Sequence, residues 1–515
     1  MKPSRSAALL CLFAATKSLA QSGAVSRAAA TITEADVRQR IELIAHDSMG
    51  GRDTPSPGLD KTAAWIAGEF KRMGLTPAGD GGGFIQRYPV TIAPPDPDST
   101  FMEFKSSNGP SFKVKAGEGL AFIPSFGSPP KSLVTLPMML LGGTVDSAQL
   151  ASAEVQDQLV VWVADWSKGQ PEGGQDVVRS LFTRGARGIV VLVNNDTVME
   201  SAGAGGTEPI VTRGAPRATT AVASRGRVLA LVSERVVVQA VPEAAEQFAA
   251  LRAAPSLVTQ PLAEWRATAI AKIGEPKAAP APNVVGILEG SDPVLKREHV
   301  VISAHMDHVG SRCRGLSAAD RICNGADDDG SGTAGVVELA EAFAHKGAQP
   351  KRSIVFLAVS GEERGLWGSD HFTARPPVEL KSIVANLNID MIGRNWNDTI
   401  AAIGKQHSDL GGLADQVAAR NKELGLTVVD DPWPEENLYG RSDHYNFARR
   451  GIPVLFFTSG LHEDYHAVTD TPDKIDAEKE ARVLRLIFYL GQEIANRVER
   501  PKWTPDSYKK IVGAR

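Results

Sequence analysis

The sequence predicts an α/β fold, with a mostly parallel mixed sheet flanked by helices. Four near-continuous apolar runs occur after about residue 282, and such runs are typical of strands that helices cover on both faces. The runs are "HVVISAHMDH", "SIVFLAVSGEE", "IVANLNIDMIG" and "IPVLFFTSG". Amphipathic segments such as "GTAGVVELAEAFAHKG" and "EARVLRLIFYLGQEIANRV" separate or follow them, so strands and helices alternate along this part of the chain.

Two more helices are predicted near the N-terminus, in "TEADVRQRIELIAHD" and "GLDKTAAWIAGEFKRMG". Between residues 101 and 281 the pattern changes to short β-like runs such as "FMEFKSS", "QLVVWVADW" and "GIVVLVNN". The segment "KAAPAPN" at 277–283 has the composition of a linker. We therefore expect a discontinuous main domain, residues 31–100 and 282–515, with a β-rich domain inserted at 101–281.

Residues 1–20 are predicted to be a cleavable signal peptide. Lys2 and Arg5 precede a short apolar stretch, and a small-residue pattern ends at Ala20. No other segment reaches the roughly 18 apolar residues that a membrane span needs, so no membrane anchor is expected. The protein is thus predicted to be exported, either secreted or periplasmic.

Two cysteines, Cys313 and Cys323, remain after removal of the signal peptide. An exported protein can oxidise them to a disulfide, which we expect here. The net charge of −4 and the lack of basic clusters argue against nucleic acid or an anionic membrane as the main partner.

Residues of the types that bind metals gather at the ends of the predicted strands. They occur in "SAHMDH", "NGADDDGSG", "SGEERG", "NLNIDMIG" and "EDYHAVTDTPDK". Each motif alone has an ordinary structural explanation, but strand ends of one α/β sheet converge on the same edge. Two histidines and three carboxylates suit two zinc-class ions that share one carboxylate, with Co or Mn as possible substitutes.

The order of these motifs resembles that of the M28 family of zinc peptidases, which comprises two-zinc aminopeptidases and related carboxypeptidases. The motifs H-x-D, G-A-D-D-D-G-S-G, G-E-E-x-G-L-x-G-S, D-M-I-G and Y-H-x-x-x-D-T follow one another between about 283 and 480. The resemblance implies a fold of the zinc aminopeptidase or phosphorylase-hydrolase type. The insert at 101–281 resembles, more weakly, a protease-associated (PA) domain.

The resemblance also implies the metal ligands. Asp328 would bridge the two zinc ions, His305 and Asp390 would complete one site, and Glu363 and His466 would complete the other. A second histidine, His462, could replace His466, but the family pattern favours His466.

Three further roles follow from the resemblance. Glu362 would act as general base on a metal-bound water, since neighbouring residues that leave a strand point in different directions. The Asp307 carboxylate would accept a hydrogen bond from the His305 ring and fix its tautomer. Tyr465 would donate a hydrogen bond to the tetrahedral oxyanion.

The predicted function is hydrolysis of peptide bonds at chain termini. The leading hypothesis is an aminopeptidase. A carboxypeptidase of the same fold would need a cation for the substrate carboxylate, and Arg394 and Arg441 are the candidates. Asp443, in the same loop as Arg441, is a further candidate for the substrate pocket. A glutaminyl cyclase-like transferase and an inactive peptide-binding shell are more distant alternatives. The preferred terminal residue and the oligomeric state do not follow from the sequence.

Overall fold

The computed structural model describes residues 23–513, with gaps at 95, 124–132, 146–148, 168–170, 172, 200–208, 216–226, 273 and 318. The predicted signal peptide, residues 1–20, lies outside the described residues. The described chain divides into two compact units. Pro89–Ala279 forms the second unit, and the residues up to Tyr88 and from Pro280 form the first.

The first unit contains a nine-stranded mixed sheet. The four strands predicted from the apolar runs lie side by side and parallel in it. In spatial order the strands are Thr76–Pro77, Ala281–Leu288, Ser353–Val359, His299–His305, Ile383–Ile389, Val454–Thr458, Thr399–Ile403 and Thr427–Val429, and Ile85–Tyr88 also pairs with Ala281–Leu288. The predicted mostly parallel α/β fold is therefore confirmed.

Helices cover both faces of this sheet. Along the strand His299–His305, Val300 and Ile302 enter one apolar cluster, whereas Val301 enters another. Because successive side chains of a strand point to opposite faces, both faces are buried, which explains the continuous apolar runs. The helices are Glu34–Ile44, Pro57–Arg72, Gly332–Ala344, Trp367–Ala374, Leu410–Arg420, His444–Ala448, Ala477–Asn496 and Pro505–Ile511.

The second unit contains an eight-stranded and a three-stranded sheet, in agreement with the predicted β-rich insert. The larger sheet has the order Ser111–Lys115, Phe101–Ser106, Val258–Ile270, Leu133–Gly142, Leu159–Val163, Gly188–Val193, Val228–Ser233 and Leu120–Phe122. The smaller has the order Ile210–Arg213, Val90–Ala93 and Lys277–Ala278. The helices are Gly174–Thr183, Glu234–Ala240 and Ala244–Ala253.

The structure corrects two details of the predicted organisation. The insert begins at Pro89 rather than at 101, because Val90–Ala93 pairs with strands of the second unit. The predicted linker at 277–283 is wrong, since Ala281–Leu288 is a paired strand of the central sheet. Its side chains Val284 and Val285 are fully buried, and this tertiary burial outweighs a local composition rich in Ala and Pro.

Cys313 and Cys323 form the predicted disulfide bond. No helix among the described residues has both the length and the apolar composition needed to cross a membrane.

Candidate metal centre

The carboxyl ends of three parallel strands bring site residues to one edge of the central sheet. His305 is the last residue of its strand and lies opposite Val359, which ends the neighbouring strand. Glu362 and Glu363 follow Val359 closely, and Asp390 comes directly after the strand Ile383–Ile389. The parallel register therefore places these side chains together, as the sequence predicts.

Asp329 ties three segments of the site together. Its Oδ2 accepts a hydrogen bond from the main-chain N–H of His305 at 3.1 Å. Its Oδ1 accepts from the N–H of Gly332 at 2.9 Å and of Met391 at 3.1 Å. Since both oxygens serve main-chain donors, Asp329 is less suited to bind a metal than its neighbour Asp328, although it also lies near His305 and Asp390.

Asp470, the aspartate of the Y-H-x-x-x-D-T motif, positions the segment that carries Asp328. Its carboxylate accepts hydrogen bonds from the main-chain N–H of Asp327 and of Asp328, each at 3.1 Å. The segment Ala326–Ser331 is fully buried, so its main-chain donors need such partners. The motif thus contributes a structural aspartate as well as a histidine.

The donor atoms form two groups that share Asp328. His305 Nε2 lies 3.4 Å from Asp328 Oδ1 and 3.6 Å from Asp390 Oδ1. His466 Nε2 lies 3.1 Å from Asp328 Oδ2 and 3.1 Å from Glu363 Oε2. Zinc bonds of about 2.0–2.1 Å in tetrahedral geometry place neighbouring donors roughly 3.3 Å apart, so both groups fit a zinc-class ion.

The charges of the site point to the same conclusion. Although burial lowers it, the carboxylates of Asp328 and Glu363, each 3.1 Å from Nε2, raise the pKa of His466 to about 10. Burial also lowers the pKa of His305, but the charges around it, Asp390 first, raise that pKa well above its ordinary value. A cluster of buried carboxylates thus attracts positive charge, which a divalent cation can supply.

Two atoms that face each other in the second group have no hydrogen-bond partner among the described residues. They are Asp328 Oδ2 and His466 Nε2, and both are buried. Buried polar atoms are normally satisfied, and binding to a shared metal ion would satisfy both.

Asp307 has a different contact from the one expected. His305 Nδ1 lies 3.1 Å from the main-chain carbonyl oxygen of Asp307, whereas the carboxylate Oδ1 is 3.7 Å away. The carboxylate instead accepts hydrogen bonds from Thr54 Oγ1 at 2.9 Å and from the N–H of Glu362 at 3.3 Å. The nearest contact of His305 Nδ1 is thus the Asp307 carbonyl oxygen, with the carboxylate beyond it, and the same carboxylate also holds the main chain of Glu362.

Two contacts of the ligand candidates were missed from the sequence. His308 Nδ1 lies 3.0 Å from Glu363 Oε1, and Ser442 Oγ donates a 2.6 Å hydrogen bond to Asp390 Oδ2. His308 follows the H-x-D motif directly, and Ser442 lies between two pocket candidates, so both were close to recognised signals. The contacts themselves span 55 and 52 residues of sequence, and no local pattern encodes them.

The two competing histidines occupy different places. His466 lies between Asp328 and Glu363, whereas His462 Nε2 lies 3.2 Å from Asp327 Oδ2. The family pattern and the geometry thus favour the same histidine.

A cavity of about 50 Å³ opens next to the donor atoms. Polar lining residues are His305, Asp328, Glu362, Asp390, Arg441, Ser442, Thr458 and Tyr465, and the others are Met391, Leu438, Phe456, Gly460 and Leu461. The ring of Tyr465 stacks on His466, with centroids 4.0 Å apart. Candidate metal ligands and apolar side chains therefore line one pocket.

The three candidates for the substrate pocket differ in whether they lie in the cavity and in which groups already contact them. Arg394 forms an ion pair with Asp464 at 2.8 Å, and the cavity lining does not include it. Arg441 lines the cavity and is exposed, with Glu436 Oε2 at 3.0 Å from its Nη1. Asp443 is completely buried, and this burial raises its pKa to about 7.

This fold and this donor set define the first unit as an α/β domain with a candidate metal centre at one edge of its sheet. Residues 283–491 match the family model for Peptidase family M28. Residues 283–491, which contain all five ligand candidates, are thus similar to M28 peptidases.

Curated relatives include aminopeptidase YwaD of Bacillus subtilis, 27% identical over 43% of this chain and 46% of the relative. Leucine aminopeptidase 1 of Paracoccidioides brasiliensis is 30% identical over 40% of this chain and 54% of the relative. The chain thus spans about half the length of the curated relatives it matches.

Solved structures match over most of the chain. The aminopeptidase from Aneurinibacillus sp. strain AM-1 aligns with a TM-score of 0.55 at 18% identity, over 92% of this chain and 97% of that chain. A zinc aminopeptidase from Bacillus subtilis aligns with a TM-score of 0.56 at 18% identity, over 90% and 96%. At this identity the likeness supports the fold.

Proposed function

We propose that the protein is an exported two-zinc aminopeptidase. The observation that carries this proposal is the pair of donor groups sharing Asp328, with Glu362 on the wall of the same pocket. The curated relatives named as aminopeptidases agree with it. Peptides are the substrates, and the disulfide favours an oxidising compartment such as the periplasm or the medium.

In this proposal His305, Asp390 and Asp328 would hold one ion. His466 and Glu363 would hold the other together with Asp328. Bound zinc supplies Lewis acidity, which polarises the scissile carbonyl and makes water a stronger acid.

Glu362 acts as the general base. It lies on the pocket wall with His305, Asp328 and Asp390. Burial, which outweighs the nearby His305, raises its pKa well above that of an ordinary glutamate. It takes the proton of the attacking water and passes it to the leaving amine. Asp307 holds the Glu362 main chain, and Tyr465 donates a hydrogen bond to the developing oxyanion.

The pocket lining suits an apolar N-terminal side chain. Met391, Leu438, Phe456 and Leu461 form its apolar wall. Burial of an apolar side chain there is favourable at about 25 cal/mol per Å² of surface removed from water. We therefore propose that the enzyme releases residues such as leucine in preference to charged ones.

The carboxypeptidase alternative finds less support. Of its two candidate cations, Arg394 is engaged by Asp464, and Arg441 has Glu436 beside it. The reduced ligand set expected of a cyclase-like transferase is not found here, since all five ligand candidates converge.

The test uses two substrate classes with the purified protein. Aminoacyl chromogenic amides report aminopeptidase activity, and N-blocked peptides with free C-termini report carboxypeptidase activity. We expect cleavage of the amides alone, lost on chelation and restored by zinc. Cleavage of only the blocked peptides would overturn the aminopeptidase proposal, and activity that resists chelators would overturn the metal mechanism.

A further inference from the structure

Two tryptophans stack face to face in the first unit. The ring centroids of Trp396 and Trp433 are 5.2 Å apart, and the ring planes differ by only 5°. Trp396 remains 39% exposed, and it is one of four exposed large apolar side chains among the described residues. One indole face is thus packed against Trp433, and the pair leaves indole surface open to solvent.

The pair lies at the rim of the candidate metal pocket. A Cβ atom added at Gly460 would overlap the indole ring of Trp433, so this ring packs directly on Gly460, which lines the pocket. Asn395, the neighbour of Trp396, donates from Nδ2 to the carbonyl oxygens of Ser459 at 2.7 Å and of Leu461 at 3.2 Å. Both tryptophans are therefore fixed to the segment that forms one wall of the pocket.

The segment around Trp433 is strongly acidic. The stretch "DDPWPEE" at 430–436 contains four carboxylates and no basic residue. Glu436 pairs with Arg441, but no ion pair with Lys or Arg engages Asp430, Asp431 or Glu435 among the described residues. An exposed indole whose stacking partner belongs to a segment of carboxylates without Lys or Arg partners is suited to a cation, because the ring and the negative charges both attract it.

We infer that this indole face and the acidic segment form an accessory subsite for an arginine or lysine side chain of the substrate. The inference rests on the proposed function. If the N-terminal residue occupies the apolar pocket, the rest of the peptide must pass over the rim. The basic side chain therefore lies downstream of the scissile bond. Arginine is favoured, since its planar guanidinium group can stack on an indole and contact carboxylates at the same time.

The test compares peptides that differ only downstream of the cleaved bond. A set based on Leu-Ala-Ala-Ala carries Arg, Gln or Phe in turn at the second, third and fourth positions, and leucinamide lacks this part. For the wild type we expect kcat/KM to favour an Arg peptide over its Gln counterpart by about 2- to 5-fold at low salt, the size of an exposed cation–π contact. The preference should shrink in high salt, which screens the acidic segment.

Trp396→Ala should remove the Arg preference and leave leucinamide hydrolysis unchanged. Val294→Ala is the matched control, since Val294 is an exposed apolar residue of the same unit. This variant should change neither the Arg preference nor the rate of leucinamide hydrolysis. Equal rates on Arg and Gln peptides, a preference for Phe over Arg, or an equal loss on leucinamide in Trp396→Ala would each overturn the subsite. A wild type that cleaves none of these substrates would instead overturn the proposed function.

Discussion

His308 Nδ1 lies 3.0 Å from Glu363 Oε1, while the other oxygen of the same carboxylate, Oε2, lies 3.1 Å from His466 Nε2. His308 is fully buried, and its other ring nitrogen has no hydrogen-bond partner among the described residues. The tautomer that carries its proton on Nδ1 therefore fits best, because Nδ1–H can then donate a hydrogen bond to Glu363 Oε1. This arrangement leaves Oε2 as the oxygen that faces the candidate metal position.

His308→Ala should weaken metal binding at the Glu363 group. Loss of a group that orients a ligand typically lowers metal affinity by about 10- to 100-fold. His308→Gln can donate a similar hydrogen bond and should recover part of the affinity. Zinc titration against a competing chelator measures both variants, with the exposed His46→Ala as control. Unchanged zinc affinity in His308→Ala would show that the contact does not orient Glu363.

The two adjacent glutamates should respond differently to the same substitution. Glu362→Gln is expected to retain its zinc and to lose activity by roughly 100-fold or more, the scale for removal of a general base. Glu363→Gln is expected to lose zinc, because an amide is a poorer ligand than a carboxylate. Elemental analysis together with kcat separates the two effects. Equal zinc loss in both variants would contradict the assignment.

Thr54 offers a test of how Glu362 is positioned. Its Oγ1 donates to Asp307 Oδ2 at 2.9 Å and accepts from the N–H of Gly361 at 3.0 Å. Thr54→Val keeps the shape and removes both hydrogen bonds, so the Glu362 main chain should lose support. We expect kcat to fall by about 10-fold, equivalent to roughly 1.4 kcal/mol of barrier, while zinc content and KM stay near wild type. A loss of zinc instead would indicate a role in holding the metal ligands.

The sequence predicted those parts of the site that end regular elements. His305 and Asp390 stand at strand ends, and the apolar runs before them indicate buried parallel strands. Periodicity thus placed the ligand candidates at one sheet edge. The motif resemblance then assigned their roles, which the geometry of the donor groups supports.

Long-range hydrogen bonds could not be predicted in this way. The Asp307 carboxylate bonds to Thr54 and the N–H of Glu362, positions 253 and 55 residues away. A buried carboxylate can accept hydrogen bonds from several neighbouring donors. The main-chain path of three separate loops decides which of these donors lie within reach. The strand Ala281–Leu288 was missed for a related reason, because its pairing partners, not its own composition, make it a strand.

Glu338 should make the stability of the first unit depend on pH. It lies on the helix Gly332–Ala344, and only 1% of its surface is exposed. Burial raises its pKa to about 8, against the opposing charge of Arg40, whose Nη1 lies 2.9 Å from Oε1. In the unfolded chain the pKa is near 4.3. Between these values the folded protein binds the additional proton, so stability falls as pH rises from about 5 to 8.

Glu338→Gln should abolish this part of the pH dependence, since the amide stays neutral. Unfolding by urea at pH 5, 6, 7 and 8 measures the free energy at each pH. The wild type should lose stability relative to the variant at up to about 1.4 kcal/mol per pH unit. Glu42→Gln is the control, since Glu42 is an exposed glutamate of the same unit, and it should leave the pH dependence unchanged. Parallel curves for wild type and Glu338→Gln would show that Glu338 is ionised throughout.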